Sequence, residues 1–296
     1  MNLRERGEDR VIADLVADLK SRRGVVAGPG DDCAVVAGTK RGELLLLKTD
    51  CVVEGVHFLP NEKPSAIGTK AMARTLSDFA AMSGLPQYAL VTLVAPAART
   101  VRWTRELYRG LRTVADRFAV AIVGGETSGT SGPAMISISA VGSVEKDRWV
   151  SRAGGQPNDV LFVTGRLGGS IRRKHLAFTP RIVEARWLTV NFAIHAMMDL
   201  SDGLGSDLPR LARASGTGFE IAKRALPRNR GCTITQAISD GEDYELLLAV
   251  SPNDAAGLPK KWGRKFPLLP LTRIGRLTPR STIGNPQLSG GYVHFA

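Results

Sequence analysis

The sequence predicts a two-domain protein of the α/β or α+β class. Its 296 residues exceed the usual size of a single domain, and 43% of them are hydrophobic, which is enough for a substantial core. Extended and helical patterns alternate along the chain. A polar, glycine-rich stretch interrupts them at residues 145–159, where we expect the boundary between domains at residues 1–146 and 147–296.

The first domain begins with a helical pattern and continues with extended segments. Apolar residues at helical spacing predict a helix over residues 11–19, and the leucine run at 44–47 predicts a buried strand that delivers the Thr-Asp pair of 49–50 at its end. Pro64 suits the first turn of a helix that carries Asp78 near its end. The remaining predicted elements are a strand at 89–95, a helix at 103–118, a strand at 121–123 and a strand at 135–144.

The second domain shows the same alternation of extended and helical patterns. We expect a strand at 160–163 that enters a glycine-rich turn, helices at 181–191 and 203–214, and a strand at 244–250. No tandem repeat or low-complexity tract interrupts the pattern.

The chain is strongly basic, with a formal charge of +12 and a pI of about 10.0. The basic residues come in short separated groups, and only 6% of residues are aromatic, so base-stacking platforms and a recognition helix are missing. This argues against nucleic-acid binding and favours a field that attracts small anions such as ATP. No long apolar run suggests a membrane span, and the N-terminus lacks the apolar core of a signal peptide, so we expect a cytoplasmic protein.

The three cysteines, Cys33, Cys51 and Cys232, are an odd and scattered set without a Cys-x-x-Cys pair. This argues against a disulfide framework and against a zinc site. We expect small, partly buried thiols.

Five short acidic segments stand beside glycines and small hydroxyl residues, where strands or helices are predicted to end. This composition is typical of Mg²⁺ sites, where the cation takes oxygen ligands from carboxylates and nucleotide phosphates. The alternative for any one segment is a turn or a helix cap. The segments are Gly-Asp-Asp at 30–32, Thr-Asp at 49–50, Ser-Asp at 77–78, Gly-Gly-Glu at 124–126 and Asp-Leu-Ser-Asp-Gly at 199–203.

The common phosphate-binding motifs GxxxxGK[ST] and GxGxxG are missing, so metals, backbone nests such as the glycines of 124–125, and arginines must hold any phosphates. No Ser/His/Asp or Cys/His arrangement stands out. On its local context alone, His57 is a core or loop histidine, and the Glu-Asp pair at 242–243 is a charged turn.

The order and the residue sequences of these segments resemble those of thiamine-monophosphate kinase over nearly the whole chain. The pieces at 49–58 and 241–246 are specific to that kinase, whereas those at 28–34 and 199–204 are shared with aminoimidazole ribonucleotide synthetase, selenophosphate synthetase and a hydrogenase maturation factor. The matching pieces are GPGDDCA at 28–34, TDCVVEGVHF at 49–58, LSDFAAM at 76–82, GGET at 124–127, DLSDGL at 199–204, GEDYEL at 241–246 and GYVHF at 291–295.

The resemblance implies an aminoimidazole ribonucleotide synthetase-like fold, a homodimer whose N-terminal sheets pair across the two-fold axis, and ATP in a cleft between the domains with several Mg²⁺ ions. Metal positions of the family fall on Asp32, Thr49, Asp50, Asp78, Glu126, Asp199 and Asp202. Nucleotide contacts fall on Gly125, Glu126, Arg152 and Ser201, and thiamine-phosphate contacts on His57, Glu242 and Tyr292. Among these residues, we expect Asp50, Asp78 and Asp202 to be the catalytic ones.

The chain departs from the family pattern at three places. Glu126 stands where the family usually has Asp, which adds one methylene, and Lys48 stands where a small hydroxyl residue is common. The segment at 165–181 is shorter than in typical members, so part of the layer that covers the C-terminal domain is expected to be missing.

The motif set predicts an ATP- and Mg²⁺-dependent kinase that converts thiamine monophosphate to thiamine diphosphate by direct in-line transfer, in which catalysis is mostly positioning and charge neutralisation. Two alternatives stay open: a member of the same superfamily with another substrate, and a nucleotide-binding homologue without catalysis. The aromatic residues of the segment 291–295 also allow two interpretations: Tyr292 faces a cationic thiazolium, or its ring only packs against neighbouring side chains.

Overall fold

The computed structural model describes residues 2–280, Leu288 and residues 290–292. Two β-sheets dominate it, one of six strands built from residues 25–145 and one of five strands built from residues 160–278. Within the described residues, none of the helices is both long enough and apolar enough to cross a membrane.

The N-terminal sheet has the strand order β1-β2-β3-β6-β4-β5. All neighbours are antiparallel except β4 and β5, which run parallel because a helix connects them. The elements of this half are α1 (Leu3–Arg6), α2 (Glu8–Ala17), β1 (Val25–Ala27), β2 (Ala34–Ala37), β3 (Glu43–Val53), α3 (Pro64–Ala81), β4 (Leu85–Pro96), α4 (Val101–Arg117), β5 (Ala121–Thr130) and β6 (Met135–Glu145).

The C-terminal sheet has the order β8-β10-β7-β11-β9, with antiparallel pairing throughout its described strands. Its central strands are buried over their whole length, which explains their continuous apolar sequences. The elements of this half are β7 (Val160–Thr164), α5 (Ser170–Arg173), α6 (Ile182–Asn191), β8 (Ile194–Asp199), α7 (Leu204–Ala214), β9 (Gly218–Ile221), a 3₁₀ turn (Lys223–Ala225), α8 (Ile234–Ser239), β10 (Leu246–Val250), α9 (Pro252–Ala255), α10 (Leu258–Lys265) and β11 (Leu271–Thr278).

Helix α3 connects the two halves. It buries 13 of its 18 residues and packs on α4, on β3 and β6 of the first sheet, and on α6 and β8 of the second half. Its contact with α4 is unusually close at two glycines. A Cβ at Gly68 would lie 2.0 Å from the Leu107 carbonyl oxygen, and one at Gly110 would lie 1.9 Å from the Ser65 carbonyl oxygen. Only glycine permits this approach, which fixes the position of α3.

Strand β3 presents two chemically different faces because successive side chains point to opposite sides of a sheet. Leu44 and Leu46 face inward and are buried. By the same alternation Lys48 and Asp50 also face inward, whereas Leu47 and Thr49 lie on the outer face, where both are exposed. The strand therefore delivers a cation and a carboxylate to the interior of the molecule.

The predicted fold class is confirmed, while several element boundaries differ. Helix α2 begins three residues earlier than predicted and ends two residues earlier. Strand β3 continues to Val53, so Thr49 and Asp50 lie inside the strand and not at its end. Strand β5 likewise continues through the Gly-Gly-Glu of 124–126, where Gly125 adopts φ 157°. Pairing with β6 and β4 supplies the backbone hydrogen bonds that extend both strands.

Candidate active site

Three carboxylates from distant parts of the chain meet at one point. Asp32 lies in the loop before β2, Asp78 in the last turn of α3 and Asp199 at the end of β8. One carboxylate oxygen from each lies within 4.8 Å of the others, and all three residues are buried. We call this set the acidic cluster. A helix-cap or turn explanation does not account for it, because the three side chains converge across 167 residues of sequence.

Fixed cations surround the acidic cluster. Arg152 Nε donates to Asp32 Oδ2 at 3.2 Å, and its backbone N–H donates to the Asp31 carboxylate. Lys48 Nζ lies 3.0 Å from Asp78 Oδ2. Asp199 instead accepts a hydrogen bond of 2.6 Å from the Ser77 hydroxyl. The serine therefore supports the cluster and does not cap its own helix.

The electrostatics of the cluster favour a bound cation. Burial and the neighbouring charge of Asp32 raise the pKa of Asp199 to about 7. Burial also raises the pKa of Asp78, against the opposing effect of Lys48. Burial and the charge of Asp32 raise the pKa of Asp31 to about 6. Carboxylates that resist ionisation in one another's presence gain most when a positive ion joins them.

The cluster fits a magnesium ion by its donor set. Three buried carboxylates converge and their oxygens are hard ligands, which Mg²⁺ prefers, while no cysteine belongs to the set. Cys33 is buried nearby as a thiol whose pKa is raised by burial, and Cys51 and Cys232 are half-buried free thiols, as predicted.

Two further predicted residues lie beside the cluster, each already paired. Asp50 projects from β3 and accepts a hydrogen bond of 2.7 Å from Arg74 Nε. Asp202 follows β8 and forms an ion pair with Arg210. Asp202 does not cap the next helix with its side chain, since the N-cap of α7 is Gly203 and the backbone N–H groups of residues 202 and 203 donate to Asp207.

The structure does not bring every predicted metal residue to the cluster. The Thr49 hydroxyl lies on the outer face of the sheet, 3.2 Å from the Ser139 hydroxyl. Glu126 is exposed on β5, opposite Thr92, and among the described residues the converging carboxylates do not include it. Gly125 lies in the same strand, where a Cβ would meet the Val91 backbone at 1.9 Å. A ligand role for Thr49 and Glu126, and a nucleotide role for Gly125, remain predictions.

A cavity of about 540 Å³ opens beside the cluster. Predicted residues Arg152 and Asp202 line it together with Lys48. Its other wall was not predicted. It comes from the first turn of α2 and from α7, where Asp9 forms ion pairs with Arg210 at 3.7 Å and with Arg213 at 3.5 Å. We call it the larger cavity. Four basic side chains line it beside the carboxylates of Glu8, Asp9 and Asp202, and the basic ones suit a polyphosphate.

A second cavity, of about 250 Å³, gathers all three residues predicted to contact thiamine phosphate: His57, Glu242 and Tyr292. Ser201 and Asp202 line it as well. We call it the smaller cavity. Of the predicted tail motif at 291–295, residues 293–295 lie outside the described residues. The Tyr292 N–H donates to the Asp202 carbonyl at 2.9 Å, which fixes the described part of the tail at the cavity mouth.

Glu242 is a largely buried partner of two basic side chains, with 18% of its side chain exposed, and not an exposed charged turn. Its carboxylate lies 2.5 Å from Lys70 Nζ and 3.3 Å from His175 Nδ1. Burial alone would raise the pKa of Glu242, but the contacts with His175 and Lys70 lower it. Glu242 (φ 63°) and Tyr244 (φ 50°) both adopt left-handed backbone conformations, which are strained for such residues and typical of functional sites.

Sequence reasoning missed Lys70, Arg74 and His175. A signal for the first two exists: they follow Ile67 at intervals of three and four residues, and so share the buried face of a predicted helix. A basic residue on an apolar helix face indicates a buried partner. His175 has no such signal, because it follows the four-residue helix α5 within the shortened segment.

The sequence matches two family descriptions that together span most of the chain: the N-terminal domain of AIR synthase related proteins over residues 30–144, and their C-terminal domain over residues 121–284. The fold and the buried acidic site thus define an AIR synthase related protein. A thiamine-monophosphate kinase of Rhodopirellula baltica is 38% identical over 93% of this chain and 90% of that protein. One of Aquifex aeolicus is 33% identical over the full length of both. The solved structure of AaThiL complexed with AMPPCP and TMP has a TM-score of 0.84, 31% identity and 99% coverage of both chains. This chain belongs to the thiamine-monophosphate kinase family.

Proposed function

We propose that this protein transfers the γ-phosphoryl group of ATP to thiamine monophosphate and releases thiamine diphosphate and ADP. The observation that carries the proposal is the position of Asp202, which lines both the larger and the smaller cavity. Two ligands that filled these cavities would meet at Asp202, three residues after Asp199 of the acidic cluster. That is the arrangement an in-line transfer between two phosphates needs.

The larger cavity is assigned to ATP. Lys48, Arg152, Arg210 and Arg213 supply positive charge along its walls. The AaThiL structure holds AMPPCP, an ATP analogue, which supports ATP as the co-substrate. We also propose, from the family pattern, that Gly125, Glu126 and Ser201 contact the nucleotide.

The smaller cavity is assigned to thiamine monophosphate. Tyr292 offers an aromatic face to the cationic thiazolium, and Glu242 contributes a carboxylate. His57 is held by the hydrogen bond that its Nδ1 accepts from the Val53 N–H at 3.1 Å. This part of the wall of the smaller cavity is therefore held in place before the substrate binds, which lowers the entropic cost of binding.

Magnesium is proposed as the resident cation, held by Asp32, Asp78 and Asp199 and assisted by Asp50 and Asp202. When bound, it would neutralise the charge of the phosphoryl oxygens and align the two phosphates. We also propose roles for Thr49 and Glu126 from the family pattern, and several ions in place of one.

The remaining chemistry belongs to the chain's own residues. A phosphate oxygen of thiamine monophosphate attacks the γ-phosphorus while the bond to the β,γ-bridging oxygen breaks, so no covalent enzyme intermediate is needed. Arg152 holds Asp32 with part of its planar fork, and the remaining N–H groups of the guanidinium are left for the nucleotide phosphates. Arg74 and Arg210 hold the carboxylates of Asp50 and Asp202 in place.

A homodimer is proposed from the outer face of the N-terminal sheet. Four neighbouring apolar side chains are exposed there: Leu47, Tyr88, Leu90 and Val123. They surround a shallow hollow of about 410 Å³. A contiguous apolar face of this kind suits a symmetric partner surface.

The cytoplasmic location and the domain boundary near residue 147 remain predictions.

The test is a turnover assay with ATP, Mg²⁺ and thiamine monophosphate, in which chromatography separates the products. We expect thiamine diphosphate from the wild type, none from Asp78→Asn, and wild-type rates from Asp116→Asn, which changes an exposed carboxylate on α4. Nucleotide binding without product would favour the non-catalytic homologue. Consumption of ATP with a different acceptor would favour another member of the superfamily.

A further inference from the structure

Lys48 occupies an unusual position for a surface-preferring residue. It faces the interior from β3, its side chain is 22% exposed, and its ammonium lies 3.0 Å from Asp78 Oδ2. Asp78 is one of the three carboxylates of the acidic cluster. The ammonium thus stands where an approaching divalent ion would seek the same oxygen.

The three cations around the cluster are not equivalent. The fork of Arg152 is committed to Asp32 and its backbone N–H to Asp31, and Arg74 holds Asp50. Within the described chain, Asp78 is the one carboxylate within ion-pair distance of Lys48. An ammonium has three N–H donors, so two remain for a ligand. Lys48 also lines the larger cavity, where a polyphosphate would lie.

We propose that Lys48 is a fixed cation of the transfer site, which contacts the phosphoryl oxygens of the bound nucleotide and takes the place of one divalent ion. The inference rests on the proposed function, because it assigns the larger cavity to ATP. A compact ammonium resembles a metal ion in that it acts as a point charge. Its charge also opposes the binding of a divalent ion at Asp78 Oδ2, so we expect the site to bind one divalent ion fewer than it would without Lys48.

The ammonium takes no part in bond making. As the acceptor phosphate oxygen bonds to the γ-phosphorus and the bridging oxygen departs with ADP, Lys48 donates hydrogen bonds to non-bridging oxygens and keeps all its protons. Its contribution is electrostatic and already in place before the reaction begins.

The experiment counts metals directly. Electron paramagnetic resonance measures the number of Mn²⁺ ions bound per chain with saturating AMPPCP, for wild type, Lys48→Thr and Lys48→Arg. We expect Lys48→Thr to bind one more Mn²⁺ than the wild type, and Lys48→Arg to bind the wild-type number. Lys40→Thr, which removes an exposed lysine from a loop, is the matched control and should match the wild type.

A second measurement needs no metal. In excess chelator, the affinity for AMPPCP should be about tenfold lower in Lys48→Thr than in the wild type, because a charge-assisted hydrogen bond to phosphate is lost. Lys48→Gln, which keeps most of the side-chain length without the charge, replaces Lys48→Thr if circular dichroism shows that the threonine variant is unfolded.

Equal Mn²⁺ counts in wild type and Lys48→Thr, with unchanged metal-free affinity, would overturn the inference and leave Lys48 as a neutralising partner of Asp78. The proposed function fails separately. If Lys48→Thr binds one more Mn²⁺ than the wild type while the wild type forms no thiamine diphosphate, the phosphate contact is supported and the kinase assignment is overturned.

Discussion

Replacement of Lys70 by methionine tests the ion pair beneath the smaller cavity. The Lys70 side chain is fully buried, with its ammonium 2.5 Å from Glu242 Oε1, 2.5 Å from the His57 carbonyl oxygen and 3.1 Å from His175 Nδ1. Methionine fills similar volume but leaves the Glu242 carboxylate without its main counter-charge. Removing one partner of a buried pair costs about 3–5 kcal/mol.

A loss of that size is a large fraction of the stability of an ordinary domain, which is about 5–15 kcal/mol. Denaturant unfolding of the ligand-free protein measures it, with Lys63→Met as the control because Lys63 is exposed at the start of the same helix. The control should change the free energy of unfolding by less than about 0.5 kcal/mol.

A double-mutant cycle separates the ion pair from packing. Lys70→Met combined with Glu242→Gln removes both charges, so we expect the double variant to be more stable than either single variant. The KM for thiamine monophosphate should rise in every variant that changes Glu242. If Lys70→Met cost less than about 1 kcal/mol, the buried pair would not organise the cavity and the reasoning would be refuted.

Three further predictions concern the rest of the site. In metal-free protein, the raised pKa of Asp199 means that its ionisation opposes folding, so the free energy of unfolding should fall as pH rises from about 4 to about 7. Asp199→Asn should make this pH profile less steep and raise the free energy of unfolding at pH 8 by up to about 4 kcal/mol. It should also abolish the rise in melting temperature on adding Mg²⁺·ATP, and an unchanged profile contradicts the shared-cation site. Tyr292→Ala should raise the KM for thiamine monophosphate about tenfold and leave that for ATP unchanged, whereas equal KM values would mean that the ring only packs. Leu90→Asp should convert a dimer to a monomer in light scattering, while a wild type that is already monomeric excludes the proposed interface.

Much of the fold was predictable because its signals are local. The apolar stripe of α3 and the leucine run of β3 specify their elements by periodicity alone. The ends of the strands were harder to predict. Strand β3 continues past Asp50 because β6 pairs with it residue by residue, and such long-range pairing leaves no mark on the neighbouring sequence.

The carboxylates of the acidic site were predictable from the sequence, but the side chains that contact them were not. The motifs identify Asp32, Asp78 and Asp199, yet only the folded chain reveals that Lys48 turns toward Asp78 and not toward solvent. The opposite faces of Lys48 and Thr49 follow from strand alternation once β3 is known to include both. The role of α2 in lining the larger cavity depends on ion pairs of Asp9 that no local pattern predicts.

If the two cavities bind the two substrates as proposed, helix α3 links the recognition of one substrate to the activation of the other. Lys70 supports the smaller cavity from one turn, and Asp78 joins the acidic cluster two turns further along the same rigid rod. The rod is clamped where Gly68 and Gly110 touch backbone on the facing helix. A single added methyl at this crossing would shift both sites together, although it lies in neither. We therefore expect natural variation at these two glycines to be constrained by the alignment of the two sites as well as by folding.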